Sequence, residues 1–162
     1  ILYICKKILM KKINSNLYKL AMSKFATGVT VVSINYNNNY IGKTVNSFSA
    51  LSLDPPLVLF SLDKKSSSIQ QYKNSKYFGI NILAKNQKKI SNHFSKQKPK
   101  WGDTSYFLAT NNIPLIKNSS VNINCKKIKN ISQGDHIIFV CKIIEVKIFN
   151  KKPLVYLNSK YI

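Results

Sequence analysis

The chain has 162 residues and a formal net charge of +21, with 26 basic residues against five acidic ones. That length suits one domain with a sizeable core and is short for two. Every basic residue is lysine, so the planar fork with which arginine reads phosphate and guanine is missing, which argues against a sequence-specific nucleic-acid reader.

The lysines are scattered and accompanied by an excess of asparagine and isoleucine, the joint bias of an AT-rich coding sequence, so most of the charge is assigned to solvated faces. Cys5, Cys125 and Cys141 are odd in number and lack metal-ligand spacing. They predict neither a disulfide framework nor a metal site, and they suit a reducing cytoplasm. If the turn after Cys125 centres near Gln133, Cys125 and Cys141 fall opposite one another on a hairpin. The first ten residues are too short and too interrupted by lysine for a membrane span, no other stretch is apolar enough, and no signal-peptide cleavage site follows. Residues 1–14 read as an N-terminal extension, with Met10 as an alternative initiator, and residues 15–162 as the domain.

Leu17, Leu20, Ala21, Lys24 and Phe25 have i, i+3, i+4 spacing and predict a short amphipathic helix capped by Ser15 or Asn16 and ending near Gly28. Val29 to Tyr36 is rich in β-branched residues, Asn37 to Asn39 tolerate left-handed turns, and Tyr40 to Val45 completes a hairpin. The next stretch, Thr44-Val45-Asn46-Ser47, offers hydroxyls, an amide and backbone but no acid, base or nucleophile. Such a segment suits the holding of a planar polar ligand through main-chain groups. A second apolar segment follows, then Asp54-Pro55-Pro56, which must leave the sheet because proline donates no N–H. Leu57 to Leu62 is a buried strand.

Ser66 to Ser68, beside Lys64 and Lys65, are good caps for a helix whose free N–H groups would attract an anion, most simply a phosphate. An ordinary capped surface helix satisfies the same residues. Tyr77 to Leu83 reads as a strand, Lys85 to Ser95 as a helix with Ile90 and Phe94 on one face, and Lys96 to Asn112 as a long loop holding Trp101. That tryptophan either covers a site or fills an edge of the core. Val121 to Ile131 and His136 to Phe149 form a long hairpin about Ser132 to Asp135, and Leu154 to Tyr161 is the last strand. Many strands with closely spaced turns and few helices predict a mainly β chain, a β-barrel with short helices.

Gly-x-Gly-x-x-Gly, a phosphate loop ending in Gly-Lys-Ser/Thr, a Gly-x-Ser-x-Gly elbow and paired histidine ligands are all missing from the sequence, so neither a Rossmann unit nor a hydrolase is supported. His136 stands at a hairpin tip in Gly134-Asp135-His136. Asp135 would favour a charged imidazole if the side chains met, but neighbours in a strand face opposite ways.

Together Phe25-Ala26-Thr27-Gly28-Val29-Thr30-Val31-Val32, Thr44 through Leu59, Asp63-Lys64-Lys65-Ser66-Ser67-Ser68, Phe78-Gly79-Ile80-Asn81-Ile82-Leu83 and Gly134-Asp135-His136-Ile137-Ile138-Phe139-Val140 resemble, in order and spacing, the flavin reductase-like FMN-binding split-barrel family. The resemblance implies a six-stranded Greek-key barrel that forms a homodimer, with FMN or FAD as cofactor and NADH or NADPH as hydride donor. It implies that Thr44, Val45, Asn46 and Ser47 edge the flavin ring, that Ser61, Leu62 and Asp63 lead along the ribityl chain to Lys65, Ser66, Ser67 and Ser68 at the phosphate, and that Asn81 belongs to the cofactor site. His136 would lie on the nicotinamide side as a helper. Reduced flavin would pass to a partner such as a monooxygenase. The chain departs from the family at Ile137, Cys141, Lys142 and Lys43, the last in place of a usual apolar residue, and Lys65 stands where arginine is frequent. Two rival readings are a flavin-binding electron-transfer module that does not accept NAD(P)H and a basic nucleic-acid-binding domain.

Overall fold

The structure, a computed structural model, describes residues 10–102 and 104–162. Cys5 and residues 1–9 of the expected extension lie outside the described residues. Helix α1 spans Ser15–Ser23 and is capped by Asn14, whose Oδ1 accepts the Leu17 N–H at 2.9 Å, one residue ahead of the expected cap. None of its residues is buried, and Tyr18, Leu20 and Met22 are exposed.

The strands are β1 (Thr27–Gly28), β2 (Thr30–Tyr36), β3 (Asn39–Val45), β4 (Ser49–Ser52), β5 (Leu57–Asp63), β6 (Tyr77–Ile82), β7 (Tyr106–Ala109), β8 (Ile113–Ile116), β9 (Val121–Gln133), β10 (His136–Ile148), β11 (Val155–Leu157) and β12 (Lys160–Tyr161). Two further helices, α2 (Ile69–Asn74) and α3 (Lys88–Phe94), lie before and after β6. Among the described residues no helix is long and apolar enough to cross a membrane. The fold is mainly β, as expected. Its principal sheet has the order β3-β2-β6-β9-β10-β5-β4, with every neighbouring pair antiparallel. It therefore has seven strands rather than six, because the apolar segment after Ser47 adds β4 to the edge of β5 at Leu57–Leu59.

The sheet curls. Val32 of β2 and Phe60 of β5, far apart in the strand order, belong to one buried cluster with Phe78, Ile123, Phe139 and Tyr72. Phe60 stacks on Phe139 at 5.0 Å and meets Phe78 edge-on at 5.4 Å, the geometries that aromatic quadrupoles favour. Tyr72 reaches in from α2 and donates to the Val32 carbonyl at 2.8 Å, satisfying its buried hydroxyl. A second core on the other face holds Val29, Val31, Leu83, Phe94, Trp101, Ile116 and Leu154. Trp101 is thus a core residue, set against Tyr40, Phe94 and Tyr106.

Several boundaries differ from the sequence reading for identifiable reasons. Asn37 and Asn38 both take positive φ, the mirror-image turn that matches strand twist. The expected Lys96 to Asn112 loop is shorter, because Tyr106–Ala109 pairs with Ile113–Ile116 across a turn that places Asn111 and Asn112 at positive φ. The expected Lys85 to Ser95 helix opens with a 3₁₀ turn at Lys85–Gln87. The last strand is broken into the β11–β12 hairpin by Asn158 and Ser159, also at positive φ. The long hairpin turns at Gly134-Asp135, since Gln133 pairs with His136. With register shifts at Val140/Cys141 and Ile143/Glu145, Cys141 pairs with Lys127 and Cys125 with Ile143. The two free thiols are diagonal neighbours rather than opposite one another, both are buried, and donation from the Cys125 thiol towards Cys141 together with burial raises the Cys125 pKa.

Candidate functional site

β3 is one end of the sheet, and β4 covers β5 only at Leu57–Leu59, so the edge of β5 from Phe60 to Asp63 is not laddered on that side. A sheet edge carries unpaired N–H and C=O groups. The free edges of β3 and β5 face one another and are joined at one point. The Ser47 hydroxyl accepts the Ser61 N–H at 3.0 Å and donates to the Ser61 carbonyl at 3.0 Å, so one side chain stands where a strand partner would. Successive antiparallel pairings give β3 and β5 opposite directions. Lys65 lies in the turn that follows β5, and Lys43 lies in β3.

Between these edges lies a cavity of about 310 Å³, bordered by Thr44, Val45, Asn46 and Ser47 on one side and by Ser61, Leu62, Asp63, Lys65 and Ser66 on the other. Nine of the residues singled out in the sequence are therefore brought together here, and His136 joins them. Lys43 and Gln97 complete the wall. Lys43 was visible in the sequence only as a departure from family pattern; Gln97, in the expected loop, carried no signal.

The individual groups have definite roles. The Thr44 hydroxyl donates to the Ser91 carbonyl of α3 at 2.7 Å, which leaves its main chain for a ligand. Asn46 is exposed in a bend. Asp63 shapes the next loop by accepting the Lys65 N–H on Oδ1 at 2.7 Å and the Ser66 N–H on its carbonyl at 2.9 Å, and the Ile69 N–H returns to the Ser66 carbonyl at 3.0 Å. The Ser67 and Ser68 amides stand outside this set of bonds, and their residues lie just beyond the cavity wall. Ser68 holds the cap position of α2, but its side chain makes no capping bond, and the six-residue helix adds only a small dipole to the loop amides.

His136 opens β10, level with Asp63 in the ladder. Asp135 lies in the turn rather than in the strand, where Gly134 takes a φ of 54°, so the alternation rule does not separate the two side chains. Asp135 Oδ1 and His136 Nδ1 meet at 2.7 Å, and this hydrogen bond, followed by the imidazole's charge, lowers the Asp135 pKa. With Nδ1 engaged, Nε2 is the ring nitrogen left for a ligand.

Asn81 does not belong to this cleft. It is fully buried beneath β8, where Oδ1 accepts from the Ile116 N–H at 2.8 Å and from Asn122 at 2.7 Å, while Nδ2 donates to the Val31 carbonyl at 2.9 Å and to Ser33 at 3.2 Å. Its hydrogen-bonding capacity ties four strands together, which corrects its expected place in the cofactor site. A second cavity of about 250 Å³ shares Thr44, Val45 and Asn46 with the first and is closed by Val29, Ser91, Tyr156 and Tyr161. Thr44 to Asn46 is therefore a partition with a cavity on each side. Tyr161 is fixed there by hydrogen bonds to Asn92 and Ser91, each 2.9 Å.

The chain is 32% identical over 148 residues to the FMN reductase (NADH) SmoA of Agrobacterium fabrum, covering 91% of this chain and 85% of that one. It is 30% identical over 154 residues to the reductase subunit HsaB of a flavin-dependent monooxygenase of Mycobacterium tuberculosis, covering 93% and 82%. Among solved structures, flavin reductase PheA2 superposes with a TM-score of 0.86 at 34% identity, covering 93% of this chain and 97% of that one. Flavin reductase HpaC complexed with NADP+ gives 0.84 at 34% identity, covering 92% and 97%. Residues 22–162 match the profile of the flavin reductase like domain, and the chain belongs to that family.

Proposed function

We propose that this chain is an NAD(P)H-dependent flavin reductase that supplies reduced flavin to a partner such as a flavin-dependent monooxygenase. The observation that carries the reading is the wedge between β3 and β5, where two main-chain edges run from a hydroxyl junction to a lysine- and serine-bearing loop. A planar ring with polar rims suits the edges, and a phosphate suits the loop, so the residues present fit FMN or the FMN half of FAD. Bound flavin supplies the ring that accepts hydride from the nicotinamide, which is why the cleft needs no strong protein acid or base.

The chain's own residues bind and orient. Main-chain groups of Thr44 to Ser47 edge the ring, Ser61 to Asp63 follow the ribityl chain, and the Lys65 ammonium, the Ser66 hydroxyl and the Ser67 and Ser68 amides receive the phosphate. His136 directs Nε2 towards the nicotinamide side and helps position that cofactor. The protein acts in the cytoplasm as a homodimer. Support for the dimer comes from the solvent-exposed Ile128, Ile131, Ile144, Val146 and Ile148 along the β9–β10 hairpin, an apolar row that association would remove from water. The test is anaerobic loss of flavin absorbance when purified protein, FMN and NADH or NADPH are mixed. Bleaching at a rate proportional to protein is expected. Flavin that binds but is reduced by neither nicotinamide would favour a carrier, and absence of flavin binding at about 50 µM, a concentration well within reach of ordinary cofactor sites, would end the reading.

A further inference from the structure

Lys43 does more than occupy an edge strand. Its ammonium donates to the Ser95 carbonyl at 3.2 Å and to the Lys96 carbonyl at 3.3 Å, just past the end of α3. Carbonyls there lack helical partners and carry the negative end of the helix dipole, so they hold a cation well. An ammonium has three N–H donors, and two are fixed by these carbonyls. The side chain is therefore anchored on the α3 side of the cleft, and one donor remains.

The opposite side carries Lys65, in the turn after β5. Both lysines border the same cavity. Among the described residues Asp63 is the one acid in that wall, and its Oδ1 is already engaged by the Lys65 N–H. Cation therefore exceeds anion among the described residues of this wall. A single lysine is a point charge that attracts a phosphate without fixing its position, whereas arginine fixes it with a planar fork. Two lysines approaching from opposite walls supply separated donors.

We infer that Lys43 and Lys65 form a two-lysine clamp on the phosphate of the bound flavin nucleotide, with Lys43 prepositioned by the Ser95 and Lys96 carbonyls. This rests on the reading of the cleft as the flavin site. It makes Lys43 a residue that distinguishes a phosphorylated flavin from riboflavin, beyond its contact with α3.

The experiment measures FMN and riboflavin binding to the full chain by flavin fluorescence, in the native protein and in Lys43→Gln, which removes the charge but keeps a stem and an N–H donor for the carbonyls. Loss of about tenfold in FMN affinity with riboflavin affinity held within about twofold is the expected result, a change of about 1.4 kcal/mol confined to the phosphorylated ligand. The FMN affinity should also depend less steeply on salt in the variant. Equal losses for both flavins would overturn the clamp, since Lys43 would then only support the end of α3, and unchanged affinities would overturn it as well. Binding of neither flavin by the native protein would instead remove the flavin site itself and the clamp with it. Lys43→Met, judged by the same ratio, serves if Lys43→Gln does not fold.

Discussion

Ser47→Ala removes the one hydroxyl that joins the two free edges of the cleft. The hydroxyl makes two hydrogen bonds at 3.0 Å to the same residue, Ser61, in a half-buried setting. Each neutral bond contributes about 1 kcal/mol net, so their joint loss costs about 2 kcal/mol. For a chain of this size that lowers the melting temperature by about 4–8 °C. Because the junction also sets the spacing of the edges, FMN affinity should fall about fivefold or more, by analogy with the loss of one net hydrogen bond. Circular dichroism melts of native protein, Ser47→Ala and Ser47→Thr, with FMN titrations of each, check both effects. Thr keeps the hydroxyl and should restore most of the loss. A melting temperature for Ser47→Ala within about 1 °C of native, too small for even one lost bond, would refute the hydroxyl as the closure of the sheet. Loss of stability with unchanged FMN affinity would separate the junction from the cleft.

His136→Ala should raise the KM for NADH or NADPH about tenfold while changing kcat much less, as expected for removal of one charge-assisted contact; steady-state kinetics with both parameters unchanged would take the imidazole out of the site. Gly79→Ala should destabilise the protein by about 2–3 kcal/mol in denaturant titration, because a Cβ there would lie 2.3 Å from Ser33 Oγ and 2.7 Å from the Leu115 side chain. Glu145 accepts from Asn124 at 2.8 Å and from Thr110 at 2.6 Å, and these bonds hold its pKa below 4.5. A carboxyl lowered in this way stabilises the fold above its unfolded pKa and loses that contribution as pH falls through the folded value. Glu145→Gln should therefore melt lower than native near neutral pH, with the gap closing below pH 4.5; a gap that does not change with pH would contradict the cause given.

The parts legible from the sequence were those with local causes. The Asn37-Asn38 turn and the Gly134-Asp135 turn declare themselves through residues that accept positive φ. Thr44 to Ser47 lacks catalytic groups, and the structure places it on one wall of a cleft. The parts that were not legible depend on which face or partner a residue meets. Asn81 lies in a matching motif, but alternation alone cannot say that its side faces β8 and a buried amide network. Tyr106 to Ala109 lacks strong strand bounds of its own and becomes a strand by pairing with β8. Lys43 and Lys65 are 22 positions apart, and only the curl of the sheet sets them across one gap. Asp135 meets His136 because the turn releases it from strand alternation, and the position of the Gly134-Asp135 turn with one register shift, at Val140/Cys141, sets Cys125 and Cys141 on a diagonal.

The asparagine turns also alter the unfolded chain. Among the described residues six of the eight non-glycine residues at positive φ are asparagine, at positions 37, 38, 111, 112, 118 and 158, while the whole sequence has only five glycines. Glycine reaches this region freely but brings the widest conformational freedom to the denatured ensemble, which folding must then remove. Asparagine tolerates the same backbone region, helped by its short polar side chain, and carries a Cβ that narrows the denatured ensemble. The chain's reversals thus fall largely at residues for which less disorder has to be lost on folding. The saving lies in the state that holds no native contact at all.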